Sequence, residues 1–305
     1  MKLKELDKDS DEYKMLLARS TAIKVVSNSF YGYLAYARSR YYSRECGESV
    51  TAYGRKHIME TIKRAEDAGF RVLYGDTDSV MIIYKDKEEV LKFMKDINSS
   101  LPEKMELELE AFYPRGLFVS KKGAGGERGA KKKYALLGED GRIKIRGFEL
   151  VRRDWSAIAK NTQRAVLEAI LIDGSKEKAV RIVRETIERI NSGKVSMDEL
   201  TIVTQIRKDP RGGYAISSPE LSAASKAIAR GIPIQTGSVI SFVITKSGKS
   251  ISEKAELVEF AKDYDPSYYV NNQLLPAVMK ILEELGYDEY SLKVGGKQKT
   301  LDLFV

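Results

Sequence analysis

Cysteine and histidine each occur once in these 305 residues, as Cys46 and His57. A lone cysteine excludes an internal disulfide, and the pair cannot build the four-ligand cluster of a structural zinc site. Any metal held here must therefore be held by oxygen. His57 has no second ligand on its helix, Cys46 reads as a small packed residue, and the single tryptophan, Trp155, reads as packing for the helix after it. No run of eighteen or more uncharged apolar residues occurs, so no membrane-spanning helix is expected. The opening MKLKELDKDSDEYK is too polar for the apolar core of a signal peptide, and a soluble intracellular protein is the expectation. There is no internal repeat and no low-complexity segment. What is present is a 43% hydrophobic chain long enough for two or three compact units. Its net charge of +8, with a pI near 9.2, is mild evidence for a polyanionic partner.

From Ser10 to about Tyr36 the apolar spacing is helical, with no proline, and a second helix is expected from Ser43 to Ala68, closed by Gly69. FRVLYGDTDSVMIIY, Phe70 to Tyr84, reads as strand, tight turn, strand. KEEVLKFMKDINSSLP follows as a short amphipathic helix ended by Pro102. MELELEAFYP and GLFVSKK alternate as strands, and KKKYALLGEDGRIKIRGFE as a hairpin turning at Glu139-Asp140-Gly141. The mixture has no βαβ repeat, so the fold class is α+β. Near Val151 strands give way to helices, with Asp154 as N-cap and Gly174 as stop of the first. KEKAVRIVRETIERINSG, SPELSAASKAIARG and DPSYYVNNQLLPAVMKILEELG read as further helices, the last two separated by the strand SVISFVIT. KVGGKQKTLDLFV, after a Gly-Gly hinge, reads as a tethered tail.

Asp76 and Asp78 crown the first hairpin. Side chains at i and i+2 of a strand share a face, so the two carboxylates can converge if the turn is tight. Magnesium takes one or two carboxylates and completes its shell with water and substrate phosphates, so the pair suits nucleotidyl transfer. The plainer reading is turn chemistry, since Asp and Thr bond their own backbone in tight turns. Lys24, Asn28 and Tyr31, spaced i, i+4, i+7, share a helix face ahead of Gly32. They offer a cation for phosphate, an amide, a flat aromatic surface and a place without a side chain. Alone, such a stripe is most often a solvated face.

Together, KVVSNSFYG and YGDTDS resemble the second and third polymerase motifs of family B DNA polymerases. YARSRYYSRECGESVTAYGR, KKKYA, RGFELVRRDWS and YYVNNQLLPAVMKILEELGY resemble the archaeal replicative members, in order, and the likeness covers nearly the whole chain. The resemblance implies the C-terminal half of such an enzyme. The family's N-terminal domain, proofreading exonuclease and first polymerase motif, of the DxxSLYPS kind, have no counterpart in these residues. Met1 falls where the family turns at the tip of its two-helix fingers, so a subunit of a split polymerase, or an engineered half, is expected. The implied architecture is a second fingers helix over residues 1–40, an incomplete antiparallel palm sheet with helices over 41–150, a mostly helical thumb over 151–290, and a clamp-binding tail over 291–305.

Carried over by motif, Asp78 resembles the metal-ligating aspartate and Asp76 its supporting neighbour, so both are the expected catalytic and metal residues. Lys24 resembles the lysine that meets the incoming triphosphate, with Asn28 beside it, and Tyr31 with Gly32 the floor under the new base pair. Lys132, Lys133 and Tyr134 resemble the palm motif along the primer backbone and minor groove, with Lys131 adjacent. Ser20 stands where relatives carry glutamine, which puts a minor fingers contact in doubt. KKGAGGERGAKKK holds six cationic side chains against Glu127, and Arg142, Lys144, Arg146, Arg152 and Arg153 follow, a basic stretch suited to a sequence-independent duplex grip that weakens with salt. Such a run is usually only a solvated loop. Gln298, Leu301, Phe304 and Val305 resemble the sliding-clamp binding box, Val305 replacing the usual second aromatic.

The implied cofactor is a pair of Mg2+ ions, with Mn2+ as substitute. The implied partners are primer-template DNA, a deoxynucleoside triphosphate, an N-terminal polymerase chain supplying the first-motif carboxylate and exonuclease, and a sliding clamp. No membrane is among them, and the implied location is cytoplasmic, at the nucleoid. A non-catalytic DNA-binding and clamp-tethering module is the second reading, and a fragment of a single-chain enzyme the third.

Overall fold

The computed structural model describes residues 6–103, 105–121, 128–212 and 218–294. They fall into two compact units that part between Glu110 and Ala111.

In the first unit, α1 (Asp11–Ala35) starts where the Ser10 hydroxyl accepts from the Tyr13 N–H at 3.2 Å, with Asp11 and Glu12 at its positive end. None of its residues is buried. The second helix, α2 (Arg44–Asp67), is capped by Ser43 and stops where Gly69 takes φ +85°. There the Gly69 N–H donates to Glu66 O and the Phe70 N–H to Ala65 O, which satisfies the last carbonyls. Strands β1 (Arg71–Asp76) and β2 (Ser79–Ile83) form an antiparallel hairpin. Helix α3 (Lys87–Ser100) lies against this assembly through Phe70 and Phe93, 5.2 Å apart, and through Arg64, which pairs with Asp96 at 2.6 Å. The buried apolar set of this unit is small: Ala65, Val90 and Ile97.

MELELEAFYP is not a strand, although its alternation is that of one. Among the described residues it has no strand beside it. Its Leu107 peptide bonds instead to the Asn98 amide, donating to Oδ1 at 2.8 Å and accepting from Nδ2 at 3.0 Å.

The second unit opens with β3 (Arg115–Lys121), β4 (Arg128–Leu137) and β5 (Ile143–Arg146), paired antiparallel in that order and turning at Asp140 and Gly141, φ +77°. A 3-10 turn, Glu149–Val151, leads to α4 (Ala157–Leu171) and α5 (Lys176–Asn191). Then come α6 (Met197–Leu200), β6 (Ile202–Gln205), α7 (Pro219–Ala229), β7 (Val239–Ile244), α8 (Ile251–Lys254) and β8 (Ala255–Leu257), with β6-β7-β8 a second antiparallel sheet. The chain closes through α9 (Pro266–Tyr268), a π-helical segment (Tyr269–Leu274), α10 (Leu275–Glu283) and α11 (Glu289–Val294).

Two local expectations change. The N-cap of α4 is Ser156, because Asp154 is taken up by Arg152 at 2.6 Å. The long C-terminal helix widens to π spacing before Pro276, whose ring nitrogen has no N–H to close the preceding turn. Leu117, Ala135, Ile145 and Phe148 from the first sheet share one core with Val166 and Leu167 of α4, Val183 of α5, Phe242 of β7 and Val278 of α10. The change from strands to helices near Val151 therefore lies inside a compact unit.

The difference in burial is testable by urea denaturation. Leu167→Ala, at a site with no exposure, should cost about 2–5 kcal/mol. Ile23→Ala, at a site 58% exposed, should stay within about 0.5 kcal/mol in this chain alone; a large cost there would contradict the exposed placement of α1.

Candidate active site and nucleic-acid interface

The hairpin register sets Asp76 opposite Ser79, leaving Thr77 and Asp78 as a two-residue loop. Asp78 is thus in the turn and not on a strand, so the shared-face argument for the carboxylates does not apply; what joins the two residues is the backbone, the Asp78 N–H donating to Asp76 O at 2.5 Å. Thr77 takes φ +48°, uncommon for a β-branched residue, and its hydroxyl lies 3.2 Å from Asp76 Oδ1. The Ser79 hydroxyl donates to Asp76 O at 3.3 Å. The turn engages the two aspartates unequally: Asp76 is half-buried and engaged, while Asp78 is exposed and its carboxylate bonds no described residue. Oxygen donors of this kind fit a hard divalent cation that keeps water and phosphate ligands. Among the described residues no group of three or more metal-binding side chains forms.

Lys24, Asn28, Tyr31 and Gly32 all lie on α1 and are exposed, and a Cβ at Gly32 would meet open space. Among the described residues no side chain covers this face. Around it Ile23, Val25, Val26 and Phe30 are exposed as well, an unusual concentration of apolar surface on one helix.

The basic segment is arranged differently from a plain charged strand. Phe118 faces Tyr134, so a regular ladder would set Ser120 against Lys132; Ser120 meets Gly129 instead, and β4 carries three extra residues there. Lys132 sits in this bulge with φ +62° and is exposed. Gly147, φ +69°, approaches so closely that a Cβ would lie 2.0 Å from Lys132 O.

Lys133, expected on DNA, is buried at 8% exposure. Its ammonium donates to both Glu149 oxygens, at 2.6 and 2.8 Å, and lies 5.1 Å from the Phe148 ring centroid. Burial pulls the Lys133 pKa below the ordinary lysine range, against the pull of Glu149. Gln163 Nε2 donates to Glu149 Oε2 at 2.8 Å and to Ala277 O, while its Oε1 accepts from Leu150 N at 2.8 Å. The Lys133 charge is thus paired inside the protein. Tyr134 is also largely buried, 5.7 Å from the Phe118 ring. Arg146 and Arg153 are exposed, and Arg152 is exposed but paired with Asp154, whose carboxyl it holds below the usual range. The backbone of Lys131 lies in β4, and Gln298, Leu301, Phe304 and Val305 lie outside the described residues.

Glu149 and Gln163 escape sequence reasoning. The one available signal is a single acid set in the otherwise basic and apolar RGFELVRR.

The model of DNA polymerase family B matches residues 1–285. Among curated proteins, a DNA polymerase of Methanocaldococcus jannaschii is 47% identical over 286 residues, 91% of this chain and 17% of that protein. One from Thermococcus sp. (strain 9oN-7) is 45% identical over 296 residues, 93% of this chain and 37% of that protein. The solved family B DNA polymerase of Pyrobaculum calidifontis superposes with a TM-score of 0.68 at 33% identity, over 94% of this chain and 36% of that one. This chain belongs to DNA polymerase family B. It spans well under half the length of these relatives.

The Gly147 contact yields a direct expectation. Gly147→Ala should destabilise the chain by at least about 2 kcal/mol, combining the left-handed φ with the collision at Lys132 O. A cost near zero in urea denaturation would show that the two segments are not in contact.

Proposed function

We propose that this chain is the C-terminal subunit of a family B DNA-directed DNA polymerase, adding deoxynucleotides to a primer 3′ end under template direction. The observation that carries the reading is the hairpin tip, where Asp78 is exposed and Asp76 engaged in the turn, in a chain 47% and 45% identical to proteins named DNA polymerase. Residues 1–40 then serve as the second fingers helix, 41–150 as part of the palm, 151–290 as the thumb and 291–305 as the clamp-binding tail.

Asp78, with Asp76 beside it, would hold Mg2+, or Mn2+ in its place. A pair of such ions, when bound, supplies activation of the primer hydroxyl and neutralises charge on the leaving pyrophosphate. Lys24 places a cation against the triphosphate, where negative charge develops, and Asn28 adds an amide beside it. Tyr31 and Gly32 give the nascent base pair a flat surface with no side chain in the way. Lys131, Lys132, Arg146 and Arg153, with Arg152 sharing its charge with Asp154, grip the duplex through its phosphates, and Tyr134 supports the strand from within. Gln298, Leu301, Phe304 and Val305 tether the sliding clamp.

Two carboxylates leave the ion pair short of a bridging ligand. An N-terminal partner chain supplies it, together with the exonuclease. The exposed apolar side chains of α1 support this, because surface of that kind is normally covered. The enzyme then works at the nucleoid, in the cytoplasm.

Primer extension with Mg2+ tests the reading. This chain alone should extend nothing, a mixture with the partner should extend, and Asp78→Ala should lower the mixture's rate by at least about a hundredfold. Equal extension by the partner without this chain, or no effect of Asp78→Ala, would sink the catalytic reading and favour a DNA-binding scaffold. Duplex affinity should also fall with salt, by a log–log slope of about −0.9 per neutralised phosphate.

A further inference from the structure

We infer that Glu149 and Gln163 are positioning residues for the DNA-gripping strand: they hold Lys133 as the inward anchor of the β4 bulge, so that Lys132 is presented outward. The inference rests on the reading of β4 as a DNA-facing strand.

Three extra residues in β4 have to be accommodated between Tyr134 and Gly129, and a bulge with no anchor can settle in several ways. Here its far end is fixed from two sides. Gly147 presses its backbone against this end, where a Cβ would lie 2.0 Å from Lys132 O and 3.1 Å from Lys133 Cα. Glu149, two residues on, takes both bonds from the Lys133 ammonium. The carboxylate is in turn fixed by Gln163 of α4, whose amide also spans Leu150 N and Ala277 O of α10. Strand, 3-10 turn and two helices are thus joined through one buried carboxylate. A lysine whose ammonium gives two bonds to a buried carboxylate has its charge answered where it stands and offers little to a phosphate. The adjacent Lys132 is exposed and held in a left-handed conformation that an unconstrained lysine avoids. The rigid neighbour makes the exposed one directional.

The test uses Lys133→Met, Glu149→Gln and the double variant in the full chain, reading duplex-DNA affinity against salt and the urea midpoint of each. Either single change leaves one member of the pair without its counter-charge; the double change leaves a neutral amide that still accepts from Gln163. The singles should weaken binding roughly two- to thirtyfold and lower the midpoint, and the double should recover most of both. The log–log salt slope should be the same for all, because no phosphate contact is lost. A slope shallower by about 0.9 in Lys133→Met, with no recovery in the double, would make Lys133 a direct phosphate contact and overturn the inference. Wild-type chain that binds no duplex would overturn the DNA-grip reading itself, and that outcome is distinguished from the former by the unmodified protein alone.

Discussion

Between Gly147 and the carbonyl of Lys132 there is no room for a single carbon atom. That contact, with the Lys133–Glu149 pair beside it, joins the first sheet of the second unit to its helices. A buried ion pair is a poor source of net stability, because two charges must leave water before they meet. Its value lies in discrimination: any other register of β4 would leave Lys133 or Glu149 buried without its partner, at a cost of several kcal/mol, about 3–5 in comparable cases. The bulge and the left-handed Lys132 are set by this arrangement, Gln163 ties α4 to it, and Leu117, Ala135, Phe148 and Leu167 belong to the core of the same unit.

The two units differ in how completely they satisfy themselves. The second has a continuous core running from the first sheet through α4, α5, β7 and α10. In the first, α1 is tied to the following segment near its C-terminal end, where the Ser43 N–H donates to Leu34 O at 3.0 Å and the Tyr33 and Tyr41 rings lie 6.2 Å apart, but it has no buried residue and most of its large apolar side chains are exposed. A helix of 25 residues is long enough to form locally, since propagation outruns the cost of nucleation beyond about a dozen residues, but burial is what normally fixes such a helix in place. The residues proposed to meet the nucleotide therefore stand on a helix that, among the described residues, has no buried side chain. Their support is expected from outside it.

Much of this was legible in the sequence where the physics is local. Ser10, Ser43 and Gly69 mark helix ends because hydroxyl caps and a left-handed glycine act within one turn. The two hairpins announce themselves by strand alternation around Gly75 and Gly141. What failed was non-local. Alternation in MELELEAFYP predicts a strand only if a partner strand lies beside it, and Asn98 is there instead. The short β6 and β8 are strands because β7 lies between them, not through their own pattern. At the candidate site, the motifs point to Asp76, Asp78 and Lys24 and take Lys131, Lys132 and Lys133 together as one basic surface. That Lys132 faces out and Lys133 in is decided by Glu149, sixteen residues from Lys133 along the chain.

The account stands on the claim that the Asp76–Asp78 hairpin is part of a metal site that this chain does not complete alone. Mn2+ binding, followed by electron paramagnetic resonance of the free ion, measures it most directly. Titrated alone, the chain should bind Mn2+ only at about millimolar levels, as expected for two carboxylates without a bridging third; with the N-terminal partner and primer-template present, affinity should rise at least about tenfold. Tight binding by this chain alone, unchanged on adding the partner, would contradict the claim.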